Sequence, residues 1–236
     1  MDTAIEIEGR FNGPLDSGNG GYCSGVLAGL LDGPVEASLR SAVPLDTPLA
    51  VSREGDGSLR ALDGDALIVE AHPAPGFEID VPEPVSVEDA RAATAAYRGL
   101  TSGPFCRCFV CGRSRDDALG VFAGPVDGRS VVASPWIPPS WAADADGNVR
   151  PEIVWAVLDC PTYFATYIDV EGDLPLGVLA RQTGYVDRSV RAGDEHVVIG
   201  WGIGVEGRKR HAGSAVLSAD GEVLAAARAL LIEPRS

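Results

Sequence analysis

The residue best suited to acid–base chemistry is Asp159, the single charge in an otherwise apolar run from 153 to 160. A run that is apolar on every side predicts a buried helix, and a buried carboxylate is costly unless it has a role. Apolar walls raise the pKa of a carboxylic acid, so the group can accept a proton from water. A second interpretation makes Asp159 a capping residue, because Pro161 predicts a break or kink of the helix near 159 and 160.

Further polar candidates lie at the starts of two predicted helices. Glu152 lies in the first turn of the helix just described, where a carboxylate is either a general base or a partner of the helix dipole. Asn19 and Asp16 precede a second helical stripe that runs from 22 to 31. Both side chains could orient a water molecule, and both are also ordinary capping residues.

Gly20 and Gly21 begin this second helix. Glycine costs a helix about 1 kcal/mol relative to alanine, so these positions predict a close approach of the backbone to something else. A bound thioester and a packed neighbouring helix are both consistent with the two glycines.

Three cysteines, Cys106, Cys108 and Cys111, form a C-x-C-x-x-C motif, of which the last two would make half of a zinc ribbon. No second C-x-x-C and no nearby histidine completes four ligands, and Cys23 or Cys160 could do so only through the fold. The sequence therefore predicts no metal and no cofactor, and favours packed or turn-forming cysteines. Five cysteines do not make the framework of a small secreted domain, so we expect reduced thiols in the cytoplasm.

The only basic cluster, Arg208, Lys209 and Arg210, stands in a chain with a formal net charge of −15. Such a cluster is usually a solvated hairpin loop, but in this acidic chain it could also hold the phosphates of coenzyme A. The negative charge repels nucleic acid and anionic lipid, so neither is an expected partner. No apolar stretch of about 18 residues predicts a membrane span, and the first ten residues do not resemble a secretory leader.

Strands are predicted around the two helices by period-two patterns and by Pro or Asp-Gly turns. Residues 196–206 alternate bulky apolar side chains with mostly glycine, which predicts that a helix or sheet comes close to the bare face. A proline-rich linker at 72–84 and a surface helix at 86–100 separate the halves. The predicted strands are 35–43, 49–53, 58–62, 66–71, 119–123, 130–134 and four more between 177 and 233.

Two pairs of segments match between the halves. GYCSGVLAG at 21–29 aligns with EIVWAVLDC at 152–160, and DGDALIVEA at 63–71 aligns with DGEVLAAAR at 220–228. These matches predict an internal duplication of a helix-then-sheet unit, although two short matches also arise by chance. We place the halves at 1–100, with the linker and surface helix, and at 101–236.

A central helix followed by an antiparallel sheet, occurring twice, resembles the α+β double-hotdog fold of the acyl-CoA thioesterase superfamily. The helix start at 19–22 is similar to the glycine-containing helix start of thioesterase-like double hotdogs. Arg188-Ser189-Val190, followed by Gly193-Asp194, resembles the strand-to-strand loop of that family.

The resemblance implies an acyl-CoA or related thioester held between the halves and a carboxylate on or near a central helix that acts as general base or nucleophile. Helix-start N–H groups would stabilise an oxyanion. On this basis Asp159, Glu152 and Asn19 are the catalytic candidates, while Gly20, Gly21 and the basic cluster are the binding candidates.

Alternatives to a thioester hydrolase remain. A non-catalytic acyl-thioester binding protein is the second hypothesis, because only one of the two central helices carries an obvious acid. A dehydratase or hydratase lacks a histidine on a central helix, since His72, His196 and His211 fall on predicted strands or the linker. The partner is a small thioester, and a second copy of the chain is an option.

Overall fold

The computed structural model describes residues 3–99, 103–187 and 189–235, so Arg188 of the predicted loop lies outside the described residues. The fold is α+β, with helices α1 (Gly20–Ala28), α2 (Val87–Thr94) and α3 (Pro151–Thr166). No helix in these ranges is both long and apolar enough to span a bilayer. The strands are β1 (Thr3–Ile5), β2 (Val35–Leu39), β3 (Leu49–Arg53), β4 (Leu59–Asp63), β5 (Ala66–Pro73), β6 (Gly124–Pro125), β7 (Val131–Trp136), β8 (Val178–Val186), β9 (His196–Glu206), β10 (Lys209–Ser218) and β11 (Val223–Ile232).

All of these strands belong to one antiparallel sheet of eleven strands, in the order β1-β3-β4-β5-β2-β8-β11-β10-β9-β7-β6. The centre of the sheet is the β2–β8 pair, in which Val35 lies opposite Gly184 and Ser38 opposite Arg181. Outward from this pair the order is β5, β4, β3, β1 on one side and β11, β10, β9, β7 on the other. The two sides therefore repeat one connectivity.

Helices α1 and α3 pack against each other in the main hydrophobic core, to which both halves of the chain contribute. Glycines make the close contact possible. A Cβ atom on Gly21 would lie 2.5 Å from the carbonyl oxygen of Trp155, and one on Gly25 would lie 2.6 Å from the Trp155 Cβ. The predicted close approach at Gly21 is thus explained by helix packing, and residues 153–160 are buried as expected.

The first half of strand β9, residues 196–201, is buried on both faces, whereas residues 202–206 are exposed. A Cβ atom on Gly200 would lie 2.7 Å from the carbonyl oxygen of Pro161, so the bare face of β9 contacts α3. The bulky side chains of Val197, Ile199 and Trp201 belong to a second core cluster that includes Ala90 of α2. The two-faced pattern is therefore confirmed over 196–201, where α2 packs on the bulky face. Farther along the strand the bulky residues Ile203 and Val205 are exposed.

Of the break or kink predicted near Asp159 and Cys160, the break is wrong, because α3 continues through Pro161 to Thr166. Side-chain donors from other elements satisfy helix carbonyls nearby: Ser214 Oγ donates to the Leu158 carbonyl at 2.6 Å, and Gln182 Nε2 donates to the Trp155 carbonyl at 3.1 Å. The bond that Pro161 removes is the one to the Val157 carbonyl, so these donors hold α3 on either side of that position rather than replacing the lost bond.

Two other element predictions need correction. The helix predicted at 86–100 is capped by Ser86 as expected but ends at Thr94. Residues 119–123 do not form a strand; instead Leu119 N donates to the Phe109 carbonyl at 2.7 Å and Val121 N donates to the Val110 carbonyl at 3.1 Å. These bonds fix the cysteine-containing loop to the segment that follows it.

Candidate functional site

A cavity of about 470 Å³ lies beside the start of α1 and the second half of α3. This volume is in the range of small-molecule sites in proteins. Its wall is formed by the loop before α1, by α3, by the cysteine loop and by strands β8 and β11; the residues used below are Asn19, Gly20, Cys108, Asp159, Leu179 and Leu231.

Asp159 lines this cavity with only 8% of its surface exposed. Its Oδ2 accepts a hydrogen bond of 3.0 Å from the backbone N–H of Gly21, in the first turn of α1. Burial raises the pKa of Asp159 to about 7, the Gly21 N–H opposes that rise, and negative charge on the nearby Cys108 sulfur adds to it. The carboxylate is thus fixed in position between two helices.

The start of α1 supplies the polar groups opposite Asp159. Asn19 is the N-cap: its Oδ1 accepts from the Tyr22 N–H at 2.9 Å, and its Nδ2 lies 3.8 Å from Cys108 Sγ. Within the described ranges, no protein acceptor pairs with the Gly20 N–H. The cavity is narrow at this edge, and glycine leaves it open, because a Cβ atom on Gly20 would lie 3.0 Å from the Leu179 side chain.

Three buried thiols meet at the cavity wall. Cys160 on α3 joins Cys108 and Cys111 of the C-x-x-C loop, and the three Sγ atoms all lie within 4.8 Å of one another. Cys106, the remaining cysteine of the motif, is outside this group and is only half-buried. The sequence left open whether Cys23 or Cys160 could join the motif through the fold, and the fold brings in Cys160 from about 50 residues along the chain.

Hydrogen bonds set the protonation of these thiols. Cys108 Sγ accepts from the Cys111 and Cys160 thiols and from the backbone N–H groups of Cys111 and Val110, which lowers the pKa of Cys108 well below its usual value. The pKa values of Cys111 and Cys160 are raised well above it, first because each thiol donates to Cys108. All three thiols are free, without a disulfide.

Glu152 is not part of the cavity wall. It forms an ion pair of 3.0 Å with Arg150 at the start of α3, and its backbone packs against Gly25. The structure therefore supports its alternative role as a helix-start carboxylate, and Asp159 is the candidate base that we retain.

The basic cluster begins in the predicted hairpin turn: Arg208 lies between β9 and β10, and Lys209 and Arg210 are the first residues of β10. Each cation already has an acidic or carbonyl partner: Arg210 pairs with Glu233 at 2.7 Å, Lys209 pairs with Glu206 at 3.5 Å, and Arg208 donates to the Glu233 carbonyl at 2.7 Å. Lys209 and Arg210 are opposite Ile232 and Leu231 across the β10–β11 ladder, and both of those apolar residues line the cavity.

Sequence reasoning missed most of the apolar wall. Tyr163 and Phe164 lie one turn beyond Asp159 on α3 and line the cavity. The sequence could place them there only if the helix was taken to continue past Pro161. Leu179 and Leu231 come from two paired strands of the second half, and no local signal indicates that they face the start of α1.

No protein-family model matches the chain, and no curated protein matches it in sequence. Solved structures define the class of fold instead. A protein of unknown function from Alicyclobacillus acidocaldarius, described as having a hot dog fold, is 10% identical, with 99% of this chain and 93% of that chain covered and a TM-score of 0.61. The chain thus has the hotdog fold over nearly its whole length.

Two further neighbours are thioesterase-related by name. Acyl-CoA thioesterase II TesB2 from Mycobacterium marinum is 12% identical, with 93% of this chain and 90% of that chain covered and a TM-score of 0.61. The tesB protein of Mycobacterium avium subsp. paratuberculosis is 12% identical, with 98% and 92% covered and a TM-score of 0.60. The predicted resemblance to thioesterase-like hotdog proteins is confirmed at the level of the fold.

Proposed function

We propose that the chain is a double hotdog that arose by duplication, with one copy in 1–100 and the other in 101–236. The mirrored strand order about the β2–β8 pair supports this proposal. The matched segments also agree with it, since 21–29 and 152–160 fall on α1 and α3, and 63–71 and 220–228 fall on β5 and β11 with the turns before them. Helix α2 follows the first copy in sequence but packs on β7 of the second.

We infer that the protein hydrolyses an acyl-CoA or a related thioester in the cavity between the two copies. The observation that supports this best is the placement of Asp159: a buried carboxylate on one central helix, at the cavity wall, hydrogen-bonded to the start of the other. The names of the TesB-type neighbours agree with this class of reaction.

In this proposal Asp159 accepts a proton from a water molecule, which attacks the thioester carbonyl. The Gly20 N–H and the positive end of α1 stabilise the oxyanion that forms, since unpaired helix-start donors suit a negative oxygen. When the intermediate collapses, the carbon–sulfur bond breaks and the thiolate takes the proton from Asp159. The products are a carboxylic acid and a free thiol. Asn19 acts as a positioning residue that fixes the start of α1.

The basic cluster is proposed to hold the phosphates of coenzyme A. Its cross-strand neighbours line the cavity, so a pantetheine arm leaving the cavity along β11 would bring its phosphates to the β9–β10 turn. A phosphate would have to compete with Glu233 and Glu206 for the three cations. The proposal therefore expects weak electrostatic assistance rather than a preformed phosphate site.

One observation favours a non-catalytic acyl-thioester binding protein instead. The Gly21 N–H, which would otherwise be a second oxyanion donor, is already bonded to Asp159. If this bond persists with substrate present, Asp159 and the start of α1 form a polar wall that holds a thioester without attacking it.

The experiment that separates the two functions compares wild type with Asp159→Asn. Hydrolysis of short, medium, long and aromatic acyl-CoAs is followed by thiol release, and binding is measured by calorimetry. We expect Asp159→Asn to lower the hydrolysis rate by at least about a hundredfold, the usual contribution of a positioned general base.

Glu152→Gln is the matched control, because it makes the same carboxylate-to-amide change on the same helix outside the cavity. Its hydrolysis rate should stay within about twofold of wild type. Wild type that binds these thioesters but hydrolyses none would establish the binding protein. Equal hydrolysis rates in wild type and Asp159→Asn would remove Asp159 from the reaction.

A further inference from the structure

Sulfur atoms from two distant parts of the chain converge at the cavity wall. Cys108 Sγ and Cys160 Sγ are 3.8 Å apart, and Cys111 Sγ lies within 4.8 Å of both. Thiolates that bind one tetrahedral zinc ion at about 2.3 Å each lie about 3.8 Å from one another. A disulfide would require about 2.0 Å. The three sulfurs therefore have nearly the separation that a shared ion requires.

The loop that presents two of these sulfurs is a tight C-x-x-C-G turn. Gly112 N donates to the Cys108 carbonyl at 2.8 Å, and a Cβ atom on Gly112 would lie 2.6 Å from both N and O of Cys108. Only glycine fits this contact.

Surrounding residues fix this loop from several directions. Phe109 N donates to the Asn12 carbonyl at 3.0 Å, and Tyr97 Oη donates to the Cys111 carbonyl at 2.6 Å. On the cavity side, Asn19 Nδ2 lies 3.8 Å from Cys108 Sγ. Hydrogen bonds of this kind around a ligand set orient the ligands and tune the affinity for a metal. The site is thus held in place by both copies of the fold.

We propose that Cys108, Cys111 and Cys160 together bind one zinc ion whose fourth coordination position faces the cavity. Soft thiolate ligands select zinc over the hard cations magnesium and calcium. Structural zinc sites have four protein ligands, whereas three protein ligands with one open position are typical of sites that bind water or substrate. Convergence of all three sulfurs within the reach of one ion favours a single ion over an iron–sulfur cluster, whose cysteines bind different irons.

This inference goes beyond thioester hydrolysis and does not depend on it. Cys106 belongs to the same sequence motif but lies outside the group of three, so it provides a matched control. The sequence predicted no metal because Cys160 could join the motif only through the fold, and the fold does bring Cys160 to Cys108 and Cys111.

The test measures metal binding on the full chain. Wild type, Cys160→Ser and Cys106→Ser are expressed, purified without chelator or added metal, and analysed for zinc by mass spectrometry. The reduced proteins are then titrated with Co²⁺, because sulfur-to-cobalt absorption reports the number of bound thiolates. We expect about one equivalent of zinc and three-thiolate cobalt spectra for wild type and Cys106→Ser. Cys160→Ser should bind cobalt at least about tenfold more weakly, with two thiolates.

A second measurement covers the case in which Cys160→Ser does not fold. Zinc-loaded and zinc-free wild type are treated with an alkylating reagent, and each cysteine is followed by peptide mass spectrometry. Zinc should protect Cys108, Cys111 and Cys160 while leaving the reactivity of Cys106 unchanged. Added imidazole should change the d–d bands of the cobalt protein, because the open position is accessible from the cavity.

Several results would overturn the proposal. Reduced wild type that takes up neither zinc nor cobalt would remove the site. Loss of metal in Cys106→Ser equal to that in Cys160→Ser would assign the ligands to the linear motif instead. A Cys108–Cys111 disulfide in freshly purified protein would indicate a redox pair, and a cobalt spectrum unaffected by imidazole would exclude an open position.

Discussion

Replacing Gly21 by alanine tests the central contact of the structure, the crossing of α1 over α3. The added Cβ atom would lie 2.5 Å from the Trp155 carbonyl oxygen and 2.6 Å from the Asp159 Cβ. Ordinary contact begins at 3.4 Å, so the helices would have to separate by about 0.9 Å. Neither neighbour is the end of a flexible side chain, and backbone must therefore move.

The size of the effect follows from two opposing terms. Overpacking a well-packed core costs about 1–3 kcal/mol, and the contact with backbone puts Gly21→Ala near the upper end of that range. Alanine recovers at most about 1 kcal/mol through its better helix propensity. We expect a net loss of about 2 kcal/mol in the free energy of unfolding. For a chain of this size, that loss lowers the melting temperature by about 4–8 °C.

Gly29→Ala is the matched control on the same helix. Gly29 has helical backbone angles, and the nearest atom to its added Cβ is 3.4 Å away. Thermal melts followed by circular dichroism and urea titrations should show Gly29→Ala at or slightly above wild-type stability. A Gly21→Ala protein as stable as Gly29→Ala would show that α1 and α3 do not pack as described.

Three further predictions follow from other contacts. Ser214→Ala removes the side-chain donor to the buried Leu158 carbonyl, so urea titration should show a loss of about 0.5–1.5 kcal/mol, and an unchanged midpoint would contradict the role of this bond in α3. In steady-state kinetics, Arg210→Gln should raise the KM for acyl-CoA several-fold and leave the KM for acyl-pantetheine, which lacks the nucleotide phosphates, unchanged. Equal changes in both KM values would exclude phosphate binding by Arg210. Residues 1–100 expressed alone should aggregate on size-exclusion chromatography, because both halves of the chain contribute to the main core. A monomeric 1–100 domain that melts cooperatively would refute the shared core.

Local patterns predicted the strands well because each pattern depends on near neighbours. The alternation in β9 indicated both its bulky face and its bare face, and over residues 196–201 the structure contains a helix against each. The rest of the strand is exposed. The Asp-Gly turn before β11 correctly distinguished a hairpin strand from a helix in a segment rich in helix formers. Ser86 was likewise visible as a cap, although the end of α2 was not.

Contacts between residues far apart in the sequence determine the features that local sequence patterns could not predict. The continuation of α3 past Pro161 is accompanied by bonds from Ser214 and Gln182, on two different strands, to the Leu158 and Trp155 carbonyls. Cys160 meets the C-x-x-C loop only because the tertiary fold places that loop beside α3. Asp159 was identifiable as an isolated charge, but its partner at the start of α1 depends on how the two helices cross.

The crossing of α1 and α3 differs at its two ends. Before Gly21, at Gly20 and Asp159, the helices leave room for the cavity, whereas at the Gly25 end an added Cβ would lie 2.7 Å from the Glu152 Cα, so backbone fills the space. Two identical subunits related by a twofold axis would have to present every group twice. A single chain in which the two ends of the helix crossing differ is not bound by that symmetry. We therefore expect ligand or metal to saturate at this crossing at one equivalent per chain.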